Sequence, residues 1–220
     1  MRGNGNLHKI LALPRSFALC IRLFGRGGVT VPMLFANSVH VSGLRKGSIR
    51  LANPKRFGVK IGFGGSLGIT PGESSVFIAQ GGSVTFEGRA NLCEGSVLRI
   101  EGGCLIFGDG FNSNKNCKFW CDHGVTFGKS CLLEWNVSIR DGDGHAIFGP
   151  DGIQDSRSPE VSVGDHVWIA ANVDVLKGSR IPDDSIVAAR ALVTKTFDEP
   201  NVLIGGLPAK VLRHEVSWKL

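Results

Sequence analysis

Tyrosine is absent from the 220 residues and tryptophan occurs only four times. An antibody-like sandwich is therefore not suggested. No apolar run is long enough to cross a bilayer. No CxxC pair occurs. The six cysteines stand at 20, 93, 104, 117, 121 and 131, and Cys117 and Cys121 sit in apolar company, CKFWC. They read as reduced core or turn cysteines of a cytoplasmic protein rather than zinc ligands or disulfides. The net charge of +6 is not gathered into any Lys/Arg run, so nothing resembles a nucleic-acid-binding arm. A mild basic excess suits an anionic cofactor and a plain soluble surface equally. The start, MRGNGNLHKILALPRSFALCIRLFG, has some features of a signal peptide. Arg15 and Arg22 interrupt its apolar part and no small-residue cleavage site follows, so export is not expected.

What the chain has is glycine, 31 residues, with 20% charged residues. That is a globular composition rich in tight turns. It also has a clock. In VSVGDHVWIAANVDVLKGSRIPDDSIVAARALVTKTF, aliphatic residues recur every sixth position: Val163, Ile169, Val175, Ile181, Val187 and Val193. Four residues after each come Val167, Val173, Ser179, Ser185, Ala191 and Phe197, all small or β-branched except the last. A helix would repeat near 3.6 and a strand at two. Period six fits a short strand plus a corner, three of which make one triangular coil. The aliphatic residue points inward from each side, and the small residue sits at a corner. Phe86, Leu92 and Leu98 keep the same time, as do Phe127, Leu133 and Ile139. Phe107, Ser113 and Phe119 form another set. The intervals 98 to 107 and 119 to 127 are too long, which predicts small bulges at corners. Residues 59–80 read as irregular early coils.

Continued past Ile139, the clock would put His145, Asp151 and Arg157 inside. Three polar residues in a row cannot fill a dry core. The coil should therefore break after Ile139, leave as a loop over 145–162, and resume at Val163. The first fifty residues do not keep time. Pro14 and Gly25 bracket a short apolar helix, PRSFALCIRLF, which would cap the exposed edge of the first coil. Alternatively it would rest on a membrane surface through residues 14–24. The expected division is a cap segment, 1–50, and an all-β repeat domain with a short extension, 51–220.

With these features in place, residues 59 to 213 are similar to the hexapeptide-repeat acyltransferases. The resemblance rests most on VWIAANVDVLKGSRIPDDSIVAARALVTK and on the later LPAKVLR. IGFGG and the D-x-H of DGDGHAIFG resemble O-acetyltransferases of sugar and surface-polysaccharide pathways. The family implies a left-handed parallel β-helix, against the usual right-handed crossover. It implies acetyl-CoA as co-substrate with no metal, and a homotrimer with its pocket between neighbours. It implies a glycan hydroxyl as acceptor, no nucleic acid, and a location in the cytoplasm or at the inner face of the membrane. Acyl transfer needs a base for the hydroxyl proton, and His is suited to that near neutral pH. The resemblance makes His145 that base. Asp143 is the favoured residue to orient it, with Asp141 and Glu134 as alternatives. Asn114, or its neighbour Asn116, together with Glu134 and Trp168, would meet the acceptor. Lys195, Lys210 and Arg213 would meet the phosphates of coenzyme A, and backbone near Ala170 and Ala188 its pantetheine arm. Arg190 departs from the family pattern, where a small residue is usual. It would either obstruct the groove or add a phosphate contact.

Three rivals are weaker. An EF-hand reading of DGDGH needs an oxygen ligand at 145 and Glu at 152, and the chain has His145 and Gly152. A zinc carbonic-anhydrase reading would use His123, His145 and His166, but lacks that family's closely spaced histidine pair. A non-catalytic scaffold would not need His145, Trp168 and the VTK and PAK segments together.

Overall fold

The computed structural model describes residues 4–153 and 160–219. Part of the expected loop, 154–159, lies outside the described residues. Two helices come first, α1 (Asn4–Leu11) and α2 (Leu13–Phe24), followed by a 3-10 turn, Gly25–Thr30. Pro14 lies in the first turn of α2 and Gly25 ends it at φ 57°. The sequence indicated α2 and missed α1.

The rest is a stack of short parallel strands. Among the described residues they form three sheets, with nine, seven and six strands. Sheet A runs from Met33–Phe35 to Leu203–Gly206 and ends in the antiparallel strand Ala209–Arg213. Sheet B runs from His40–Ser42 to Leu192–Val193, and sheet C from Ile49–Leu51 to Arg180–Ile181. Successive strands visit A, B and C in turn, each pairing with the strand one coil away. This is the repeating arrangement of a left-handed β-helix. The first coil, residues 33–51, falls within the segment that lost periodicity assigns to a cap. Its strands pair in register with the next coil, for example Met33 with Val59 and Ile49 with Val84. The clock is silent there because corners of unequal length separate these strands.

The clock residues line the interior in sheet order. Phe127, Leu133 and Ile139 come from sheets C, A and B, as do Val163, Ile169 and Val175, and all are buried. Val167, Val173, Ser179, Ser185 and Ala191 are buried at the corners, as their size predicts. The long intervals have a different cause from corner bulges. Strands Val97–Ile100, Cys104–Phe107, Lys118–Cys121 and Gly124–Phe127 are longer and each buries a second inward residue. Ile100, Leu105, Cys121 and Val125 thus widen sheets B and C. Inside this wider part, Phe107 stacks between Phe86 and Phe127, with ring centroids 5.2 and 5.6 Å apart, and touches Phe111 and Phe119 edgewise or tilted. All six cysteines are free, and five are buried. Burial pushes the Cys117 and Cys131 thiols up to about 12.

An unpaired first strand would be an open edge. Helix α2 covers it. Ser16, Cys20 and Leu23 face inward. The Phe35 amide donates to Ser16 Oγ at 3.0 Å, and Cys20 Sγ donates to the Met33 carbonyl at 3.4 Å. The Arg15 guanidinium donates to the carbonyls of Ala36 and Val39. At Gly28 a Cβ would lie 2.3 Å from the Cys20 carbonyl oxygen, so only glycine lets the following turn pack this closely.

Candidate active site

The chain leaves the coil after Ser138–Arg140 and returns at Val161–Val163. The first strand lies in sheet B and the second in sheet C. Ile139 to Val163 spans four repeat lengths, yet only one corner is turned. Asp141 starts this departure. It is fully buried, and its carboxylate accepts the amides of Asp122 (2.7 Å), His123 (2.9 Å) and Gly124 (2.6 Å) from the coil before. Beside it, burial and then the Asp141 charge raise the Cys121 thiol. Asp141 is therefore a structural clasp and not free to orient an imidazole.

His145 stands exposed on the loop. Its side chain has no hydrogen-bond partner among the described residues. Asp143, the expected orienter, pairs instead with Lys177. Asp143 and Lys177 line a cleft of 440 Å³ at the root of the loop, with Arg140, Leu176 and Thr194. The Arg140 guanidinium lies 4.4 Å over the Trp120 ring, and its buried Nε has no hydrogen-bond partner among the described residues. Sequence reasoning missed Arg140 and Lys177. The second stands in the VLKG of the repeat segment, where the sequence alone gives it no role. Farther out, the loop exposes Ile147, Phe148 and Ile153.

The other expected residues gather on a different edge of the prism. Asn114, Glu134, Ala170 and Ala188 each follow a strand of sheet A, one coil above another. Each amide donates to the next coil, at Leu133, Ile169, Val187 and Ile204. The amides of Ala170 and Ala188 are thus engaged in the ladder and are not available to a pantetheine arm. Glu134 Oε2 accepts the Ala171 amide at 3.1 Å. Asn114 is also engaged: its Oδ1 accepts the Ser66 amide at 2.8 Å and its Nδ2 donates to Ser66 Oγ. Asn116 holds the same loop through Gly72 and Thr70. It begins a ladder with Asn136 and Asn172, all at left-handed φ near 60°. Arg190 takes the next rung at φ 63°, which explains why a residue with Cβ is strained there but not excluded.

Trp168 faces outward from sheet A between Leu132 and Ile186, and its buried indole N–H has no partner among the described residues. Trp218 of the C-terminal tail lies 6.1 Å away, stacked at 4.2 Å on His166. His166 also binds Asp184, so it is committed to the fold. Arg190, Lys195, Lys210 and Arg213 are all exposed on the last coil and the strand that closes it. None forms an ion pair among the described residues, and Lys195 rests on Phe197.

A repeat β-helix with a histidine on its excursion loop invites comparison with known proteins. No family model matches the chain. It is 29% identical over 160 residues to the putative lipopolysaccharide biosynthesis O-acetyl transferase WbbJ of Escherichia coli K12, covering 65% of this chain and 80% of that protein. It is 31% identical over 123 residues to the galactoside O-acetyltransferase of the same organism, covering 54% of this chain and 59% of that protein. The chain is thus similar in sequence to bacterial O-acetyltransferases of lipopolysaccharide and galactoside. A polysialic acid O-acetyltransferase of Escherichia coli O1:K1 is 26% identical, over 57% of this chain and 41% of its own length. Of these relatives, then, the chain spans most of the first but only about three fifths and two fifths of the other two. Among solved structures, the polySia specific acetyltransferase NeuO superposes with a TM-score of 0.49 and 18% identity, covering 86% of this chain and 79% of its own.

Proposed function

We propose that this protein is an O-acetyltransferase that moves an acetyl group from acetyl-CoA to a hydroxyl of a sugar or polysaccharide precursor, with His145 as general base. The relatives named above support the reaction class. The observation that carries the residue assignment is that His145 is exposed where the coil opens, two residues along the chain from Asp143, which lines a cleft with Arg140 and Lys177. Acetyl-CoA supplies the acetyl group already activated as a thioester. The imidazole of His145 accepts the acceptor hydroxyl's proton as that oxygen bonds to the acetyl carbon. The same proton then passes to the departing sulfur, so the base is restored.

The proposed site is completed between subunits. In one chain, sheet B separates the His145 loop from the edge that carries Glu134 and from the outer face of sheet A that carries Trp168. The loop tip is apolar, with Ile147, Phe148 and Ile153 exposed. Sheet A offers a half-exposed apolar strip, Leu132, Trp168 and Ile186. Docking the loop of one chain on the strip of the next is a heterologous contact, and three such contacts close a ring. That would bring His145 to Trp168 and Glu134 of a neighbour and make a trimer the working unit. The exposed cations Arg190, Lys195, Lys210 and Arg213 suit the phosphates of coenzyme A. The pantetheine arm would need contacts other than the Ala170 and Ala188 amides. A cytoplasmic location follows from the use of acetyl-CoA.

The test is His145→Ala, assayed for CoA release with a panel of sugars and oligosaccharides. Transfer should fall by at least about a hundredfold, while calorimetric CoA binding is retained. Near-normal turnover would sink the assignment. Absence of CoA binding by the unaltered protein in millimolar cofactor would sink the reaction class.

A further inference from the structure

The charge of this chain is segregated. The first 72 residues contain eleven Lys and Arg and no Asp or Glu, and the remainder contains fourteen and nineteen. No run of cations marks this in the sequence. The fold, however, gathers that segment at one end of the prism, because it supplies both helices and the first coil. Arg22, Arg26, Lys46, Arg50, Lys55 and Arg56 are exposed there.

The same end carries unpartnered apolar side chains. One face of α2 is occupied in capping sheet A. Phe17 and Ile21, one turn apart, lie off that face, 45% and 36% exposed. On α1, Leu7, Ile10 and Leu11 are each more than half exposed. Isolated exposed apolar residues need no explanation, but five on two consecutive short helices at one end of the prism do. Aliphatic and aromatic side chains flanked by cations are the pattern of a helix that lies in a lipid interface. Among the described residues no helix is long and apolar enough to cross a membrane.

We infer that the α1–α2 end docks on an anionic lipid surface. The apolar side chains enter the headgroup boundary and the acid-free first coil meets the negative charge. A second copy is a poorer occupant, since it would oppose two cationic ends. An acidic glycan would match the charge but leave Leu7, Ile10, Leu11, Phe17 and Ile21 in water. The inference does not depend on the assignment of His145. It leaves the three sides of the prism free for subunit contacts and the acceptor.

Flotation of the full chain with vesicles tests it. The protein should float with vesicles containing phosphatidylglycerol and remain behind with pure phosphatidylcholine, and binding should weaken as salt rises. The variant L7E/I10E/F17E/I21E should lose at least about tenfold in vesicle affinity. Because those side chains are exposed, it should keep the circular dichroism spectrum and the melting temperature of the parent. Equal binding to both vesicle types, or undiminished binding by the folded variant, would overturn the inference. So would binding to an acidic polysaccharide with none to vesicles, which would assign the cationic end to a glycan. Self-association that the variant abolishes, without vesicle binding, would assign the helices to a second copy.

Discussion

Replacing Asp141 with Ala should unfasten the loop that carries His145. The carboxylate is buried and accepts three amides, from Asp122, His123 and Gly124, at 2.6–2.9 Å. Alanine leaves all three without an acceptor. Each buried donor left unsatisfied costs about 1–3 kcal/mol. His123 is exposed and Asp122 half-exposed, so water can reach part of this corner and the sum is discounted. The expected loss is about 3–5 kcal/mol, a large share of the roughly 5–15 kcal/mol typical of a folded domain. Asp141→Asn keeps one side-chain oxygen but turns an NH2 group toward an amide donor, and should lose about half as much. Urea unfolding followed by circular dichroism measures both. Acetyl transfer by the Ala variant should fall more than its CoA binding, because the clasp holds the loop that carries His145. A loss below about 1 kcal/mol in the Ala variant would refute the claim that this carboxylate closes the coil.

Phe107→Ala removes the ring that Phe86, Phe111, Phe119 and Phe127 all contact, and should cost about 3–5 kcal/mol, read by the same urea titration. A loss under about 1.5 kcal/mol would mean that the interior collapses to fill the gap. The cysteines predict a chemical outcome. With their thiols pushed up to about 12 by burial, Cys117 and Cys131 stay neutral at pH 8 and beyond the reach of iodoacetamide. In the native protein half-buried Cys104 should label first, and all six only after unfolding, as mass spectrometry would show. Rapid native labelling of Cys117 or Cys131 would contradict their packing.

The sequence by itself determined the inner lining of the helix. An aliphatic residue every six positions and a small one four later are imposed by a triangular section, and Val163 to Val193 obey that rule in the structure. It also located the break after Ile139, because His145 and Asp151 cannot fill an apolar interior. The first coil was hidden, since its corners differ in length and erase the period while leaving the strand pairing intact. The polar residues were legible as interesting but not as to role. Asn114 and Asn116 turned out to tether residues 66–72, Asp141 to clasp the coil before it, and Asp143 to pair with Lys177. Those partners lie 17 to 48 positions away along the chain, and hydrogen bonds of that span leave no local pattern. Only the tertiary structure could put His145 on an edge of the prism and Trp168 on the outer face of sheet A. Only it could turn a scattered excess of cations into one charged end, because position along the coil axis is set by how strands stack.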